Sequence, residues 1–97
     1  MFSSDIRLSK NSKIPWRLIE GEALLIDGEE GELIRLNQVG SEIWEAIDGR
    51  RTIVEITTHI VERFVVSERR ASKDVQRFIK LLLRHELVEP NEVTNTR

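Results

Sequence analysis

Apolar positions along the chain change their period at one place. Leu33, Ile34 and Leu36 suit a pleated, partly buried strand, whereas Val39, Ile43, Trp44 and Ile47 recur at the three-to-four-residue interval of a helix face. Asn37 stands at the junction. Its side-chain amide can accept a hydrogen bond from an orphan N–H of the first helical turn, so it is the expected N-cap, and Gly49 after Asp48 is the matching stop. Upstream, Pro15 introduces Trp-Arg-Leu-Ile-Glu, Gly21 separates that run from Glu-Ala-Leu-Leu-Ile-Asp, and an Asp-Gly-Glu-Glu-Gly turn leads into Glu32–Leu36. Three short strands joined by tight turns make an antiparallel meander. In a meander the first and third strands are edges.

Downstream, Thr52 with Glu55 three residues on is a capping-box pattern and opens a second helix, with Ile53, Ile56, Ile60 and Phe64 as its stripe and Val61 beside them. This helix is expected to fray into Val-Val-Ser-Glu-Arg-Arg. Ser72 is the expected N-cap of a third helix, whose face is Val75, Phe78, Ile79 and Leu82, widened by Leu81 and Leu83. Leu87 and Val88 add a short extended piece before Pro90. The class is α+β: a three-stranded antiparallel sheet with three helices, in one domain over residues 15–89. Residues 1–14, mostly polar, read as a flexible arm, and residues 90–97 as a flexible tail.

Composition narrows the function classes. The chain of 97 residues is 39% hydrophobic and 33% charged, so its core comes from Ile, Leu and Val rather than from its few aromatics. Absence of cysteine excludes disulfides and thiolate metal sites and fits a reducing, cytoplasmic setting. No signal-peptide core or membrane span of ~20 apolar residues is present. The formal net charge of −2 hides a division. Residues 20–55 hold ten acids against three bases, while residues 66–84 hold six bases against two acids. The third helix is therefore basic and the sheet region acidic.

Catalytic chemistry finds no footing. The glycines at 28 and 31 lie in a turn without the lysine or following helix of a phosphate loop, and the serines lack histidine and carboxylate partners at a recognisable spacing. His59 and Glu62 share a helix face by spacing, but two side chains do not make a metal site. Glu29 and Glu30 sit in a turn with no desolvating pocket. Trp16 and Trp44 read as packing anchors, not as a ligand cage.

The order of these pieces resembles the PqqD family over about residues 16–89. The shared features are a strand ending in Leu36-Asn37, a helix with the pair Ile43-Trp44 that ends in Asp48-Gly49, the run Thr52-Ile53-Val54-Glu55-Ile56, and the later pairs Asp74-Val75 and Leu87-Val88. The long basic join Val-Val-Ser-Glu-Arg-Arg-Ala-Ser-Lys departs from that pattern. The resemblance implies a peptide-recognition domain of the RiPP recognition element type, winged-helix-like, with no cofactor and no catalysis of its own. Such proteins bind the leader of a ribosomally made precursor peptide and present it to a modifying enzyme, a radical SAM enzyme or a leader peptidase, in lasso-peptide, pyrroloquinoline-quinone and related pathways. The leader would then pair with Glu32, Leu33, Ile34, Arg35 and Leu36, because an exposed edge is a template for strand addition. Asp74, Arg77, Phe78 and Leu81 lie to one side of the third helix's stripe at about 100° per residue and would wall the groove. Lys73 or Arg77 would pair with leader carboxylates. The rival expectation is a winged-helix DNA-binding protein with the basic helix in a major groove. Its weakness is the acidic sheet and first helix, which phosphates would repel.

Overall fold

The computed structural model describes residues 5–28 and 30–91. Its elements are β1 (Leu8–Lys10), β2 (Trp16–Ile19), β3 (Glu22–Asp27), β4 (Glu32–Arg35), α1 (Gln38–Ala46), α2 (Ile53–Arg63), α3 (Glu68–Arg84) and β5 (Val88–Pro90). β2, β3 and β4 form the antiparallel meander in chain order, so β2 and β4 are its edges. Glycines at 21, 28 and 31 adopt positive φ in the two turns, as tight reversals require. The α+β class and the three-strand, three-helix plan follow the alternation read from the sequence.

Local capping works as that pattern predicts in two helices. The Asn37 side chain accepts from Gly40 N at 2.8 Å. Thr52 and Glu55 form the reciprocal capping box, with Glu55 N to Thr52 Oγ1 at 3.1 Å and Thr52 N to Glu55 Oε1 at 2.9 Å. The third helix begins earlier than expected. Ser67, not Ser72, is its N-cap, accepting from Arg70 N at 3.1 Å, and Ser-Glu-Arg-Arg is its first turn instead of a frayed end. Ser72 lies within the helix, its hydroxyl accepting from Gln76. Glu68 in the first turn complements the helix dipole, which favours the earlier start.

A second correction concerns residues 1–14. Leu8–Lys10 pair antiparallel with Val88–Pro90, Leu8 is 1% exposed, and its carbonyl accepts from Gly49 N at 2.8 Å. Ile53 N donates to the Ile6 carbonyl at 3.2 Å, so the chain is already fastened two residues before β1. The apparent arm is thus a strand whose partner lies at the other end of the chain. The expected tail, residues 90–97, is likewise corrected at its start, where Pro90 belongs to β5 and Asn91 N donates to the Arg7 carbonyl at 2.8 Å; residues 1–4, 29 and 92–97 lie outside the described residues.

The core fills the space between the inner face of the sheet and the three helices. Trp44, Ile43 and Ile47 of the α1 region, Ile53, Ile56 and Ile60 of α2, and Val75, Ile79 and Leu82 of α3 are buried together with Leu25. Burying each such side chain stabilises the fold by roughly 1.5–3 kcal/mol before entropy is counted. Ser41 fastens the sheet to α1. Its buried hydroxyl accepts from Ala23 N at 2.7 Å and donates to the Leu36 carbonyl at 3.2 Å, so it stands in the last rung of the β3–β4 ladder. Of the two tryptophans, Trp44 is fully buried and Trp16 is half-exposed, edge-on to it at 5.8 Å between centroids. Lys10 Nζ donates to the Ile47 carbonyl at 2.6 Å beside both rings, and burial there lowers its pKa from the ordinary lysine value.

Candidate functional site

Hydrogen-bond parity decides which backbone groups of the sheet edge are free. In an antiparallel pair, residues exchanging both bonds alternate with residues whose N–H and C=O turn away. Leu36 N donates to Ala23 O, which makes Ala23/Leu36 a bonded rung; by the same register Leu25/Ile34 and Asp27/Glu32 are bonded rungs too. Leu33 and Arg35 therefore turn their N–H and C=O groups outward from β4. On the opposite edge the rung Pro15/Ile26 leaves Trp16 and Leu18 of β2 in the same condition.

Beside the β4 edge runs a groove of about 440 Å³. Its strand side is Arg35, Leu36 and Asn37, its floor Val39, Gly40 and Ile43 of α1, and its far wall Asp74 and Phe78 of α3. Gly40 sets its shape. A Cβ there would lie 3.2 Å from Phe78 Cζ and 3.2 Å from Asn37 Oδ1, so the missing side chain lets the Phe78 ring lie against the first turn of α1. The mouth is charged: Arg35 is held by Glu22 at 2.8 Å on the outer sheet face, and Asp74 stands across the groove.

The expected site residues do not share one place. Arg35, Leu36, Asp74 and Phe78 meet in this groove. Lys73 and Arg77 line an adjoining recess of about 320 Å³ with Ser67, Arg69 and Arg70; Asp74 belongs to both. Ile34 is half-buried toward the core, and Glu32 is exposed at the start of β4. Leu33 is 63% exposed and faces a recess on the outer side of the sheet, with Pro15, Trp16, Arg17, Leu24 and Ile26. Leu81 is 46% exposed and lines none of these recesses. Sequence reasoning missed Asn37, Val39, Gly40 and Ile43 as groove residues. A glycine in the first turn of an amphipathic helix is the available signal, since glycine there costs helix stability and needs a reason.

The remaining polar clusters are structural. His59 bonds Glu42 across α1 and α2 at 2.9 Å rather than its neighbour Glu62, and Arg63 reaches the same carboxylate at 3.3 Å. The hydrogen bond from His59 holds the Glu42 carboxyl below its ordinary pKa. Asp48 is lowered too, by the backbone N–H groups of Arg51 and Arg50, which donate to its Oδ1 at 2.9 Å each and fix the α1–α2 turn. Among the described residues no group of three or more His, Cys, Asp or Glu side chains could hold a metal ion, and no helix is long and apolar enough to cross a membrane.

Residues 22–88 match the family model described as coenzyme PQQ synthesis protein D (PqqD), which covers the sheet from β3 onward, all three helices and the start of β5. The chain belongs to the PqqD family. A comparison with curated proteins returns no match. Among solved structures, TbiB1 in complex with the TbiA(beta) leader peptide is similar, with a TM-score of 0.75 and 23% identity over 90% of this chain and 99% of that one. This likeness shows that the PqqD-family chain and TbiB1 share a fold.

Proposed function

We propose that this PqqD-family chain binds the leader of a ribosomally synthesised precursor peptide as an added strand on β4 and holds it for a modifying enzyme. The observation that carries the reading is the conjunction of outward-turned backbone groups at Leu33 and Arg35 with the apolar groove beside them. Backbone pairing supplies affinity and register, and alternate leader side chains entering the groove against Leu36, Val39, Gly40 and Phe78 supply selectivity. Family membership and the leader peptide bound by TbiB1 support the same reading. In it, the chain is a cytoplasmic peptide chaperone that performs no chemistry and needs no cofactor. The enzyme served is a radical SAM enzyme or a leader peptidase, in a lasso-peptide or pyrroloquinoline-quinone-like pathway.

The test is an NMR titration of the labelled protein with the leader of the small precursor encoded beside it, using a DNA duplex as comparison. Saturable shifts gathered on Glu32–Leu36 and on Asp74–Phe78 are expected. Saturable shifts with duplex alone, falling steeply with salt, would replace this reading with the DNA-binding one.

A further inference from the structure

Among the described residues, five of the six cations of α3 have no carboxylate within 4 Å. Arg35, Arg51 and Arg63 each sit within 3.3 Å of a carboxylate, yet of Arg69, Arg70, Lys73, Arg77, Lys80 and Arg84 only Arg70 has one within 4 Å among the described residues, Asp74 at 3.9 Å. Arg69–Lys73 and Lys73–Arg77 are like-charge pairs one helical turn apart, an arrangement that destabilises a helix on its own. Four of these cations, Arg69, Arg70, Lys73 and Arg77, converge on one recess of about 320 Å³ that opens from the groove at Asp74. Four cations against the single carboxylate of Asp74 in one recess beside a peptide groove, on a chain that is otherwise acidic, select for an anionic occupant.

We propose that this recess is a carboxylate subsite for the leader: the peptide carries an Asp or Glu two or four residues from the apolar residue that fills the groove. The inference rests on the leader-binding reading and gives that site a sequence rule. Same-face residues of an extended peptide recur about every 7 Å, so the second and fourth positions lie about 7 and 14 Å from the groove-filling residue. Along α3, Asp74 and Arg70 stand about 6 and 12 Å from Phe78. A strand lying along the helix therefore brings its acidic side chains level with Lys73 and then with Arg70 and Arg69, while Arg77 stands beside Phe78 at the near end of the recess. Guanidinium groups suit this task because their planar donors match a carboxylate in two parallel bonds.

The experiment measures binding of the fluorescently labelled leader from the adjacent precursor gene, at low and high salt. Leader variants change each acidic residue singly to its amide, and protein variants are Arg70→Glu with Arg77→Glu, and Lys80→Glu as a control on the same helix outside the recess. One acid-to-amide change and the double reversal are each expected to weaken binding about tenfold, with no further loss when combined, while Lys80→Glu stays within about twofold. High salt should narrow the difference. If every amide leader binds like the parent, or if Lys80→Glu costs as much as the double reversal, the subsite is overturned and leader binding stands. If the parent leader does not bind the unaltered protein at all, the leader reading itself falls. The amide series needs no change to the protein, so a misfolded variant does not obscure the result.

Discussion

Replacing Gly40 by alanine separates the shape of the groove from the stability of the fold. Gly40 is helical, so alanine favours α1 by up to about 1 kcal/mol through backbone entropy. Against this, the new Cβ lies 3.2 Å from Phe78 Cζ, 3.5 Å from its Cε1 and 3.2 Å from Asn37 Oδ1. Restoring an ordinary carbon–carbon separation moves the ring by roughly 0.5 Å, and an off-rotamer Phe78 costs about 0.5–1.5 kcal/mol. The two effects nearly cancel. Thermal unfolding should shift by no more than about 4–8 °C, the change that ~1 kcal/mol makes in a domain of this size. The ring has one direction to yield, into the groove, because its other side meets the core. A mismatch of about one methylene in an apolar pocket is worth about 1–3 kcal/mol, so leader affinity should fall about tenfold or more. Thermal denaturation and fluorescence anisotropy of a labelled leader, run on the same preparation, give both numbers. Adding Phe78→Leu, which removes the ring edge, should recover part of the affinity. A Gly40→Ala protein that melts normally and binds the leader within about twofold of the parent would refute the claim that this groove receives the peptide.

Thr52→Ala removes the side-chain half of the α2 capping box, the acceptor for Glu55 N, and leaves the backbone N–H to Glu55 half; it should cost about 0.5–2 kcal/mol in denaturant unfolding, with Thr52→Ser recovering most of it, and an unchanged midpoint would contradict the role given to the box. Leu8→Ala should cost about 2–5 kcal/mol, because a fully buried side chain of the β1–β5 pair is removed, whereas a residue in a loose arm would cost almost nothing. Acid should loosen the α1–α2 junction. Glu42 and Asp48 have folded-state pKa values below their ordinary 4.5 and 3.8, so their stabilisation is full above those values and is lost as pH falls through the lowered ones. Glu42→Gln should therefore flatten the stability profile below about pH 4.5 in a pH series of urea melts, and an unaltered profile would remove Glu42 from the account.

What was legible in the sequence was local. The strand-to-helix change at Asn37, the Thr52–Glu55 box and the meander are written in neighbouring residues, and each appears in the structure with the hydrogen bonds its pattern implies. The free β4 edge followed from meander logic alone. β1 was not legible, because Leu8 finds Pro90 opposite it only after the intervening chain has folded. Ser67 is hidden as a cap because Val65 and Val66 look like a fraying end, though Glu68 after it marks a helix start. Half of the candidate groove was likewise hidden. Val39 and Ile43 read as core by period, and only the packing of Phe78 across Gly40 turns that face into a floor. Leu81, placed beside Phe78 by helical angle, projects beyond the groove because angle fixes a direction on the helix and not the reach of the neighbouring strand.

The central claim, that β4 takes an added strand, is tested most directly by amide hydrogen exchange with and without the leader. Rung parity assigns the outward amides of the two edges: Leu33 and Arg35 on β4, Trp16 and Leu18 on β2. Strand addition at β4 predicts that the leader slows exchange at Leu33 and Arg35 and leaves Trp16 and Leu18 as they were. Slowing at Trp16 and Leu18 instead, or slowing confined to α3 with both edges unchanged, would contradict it.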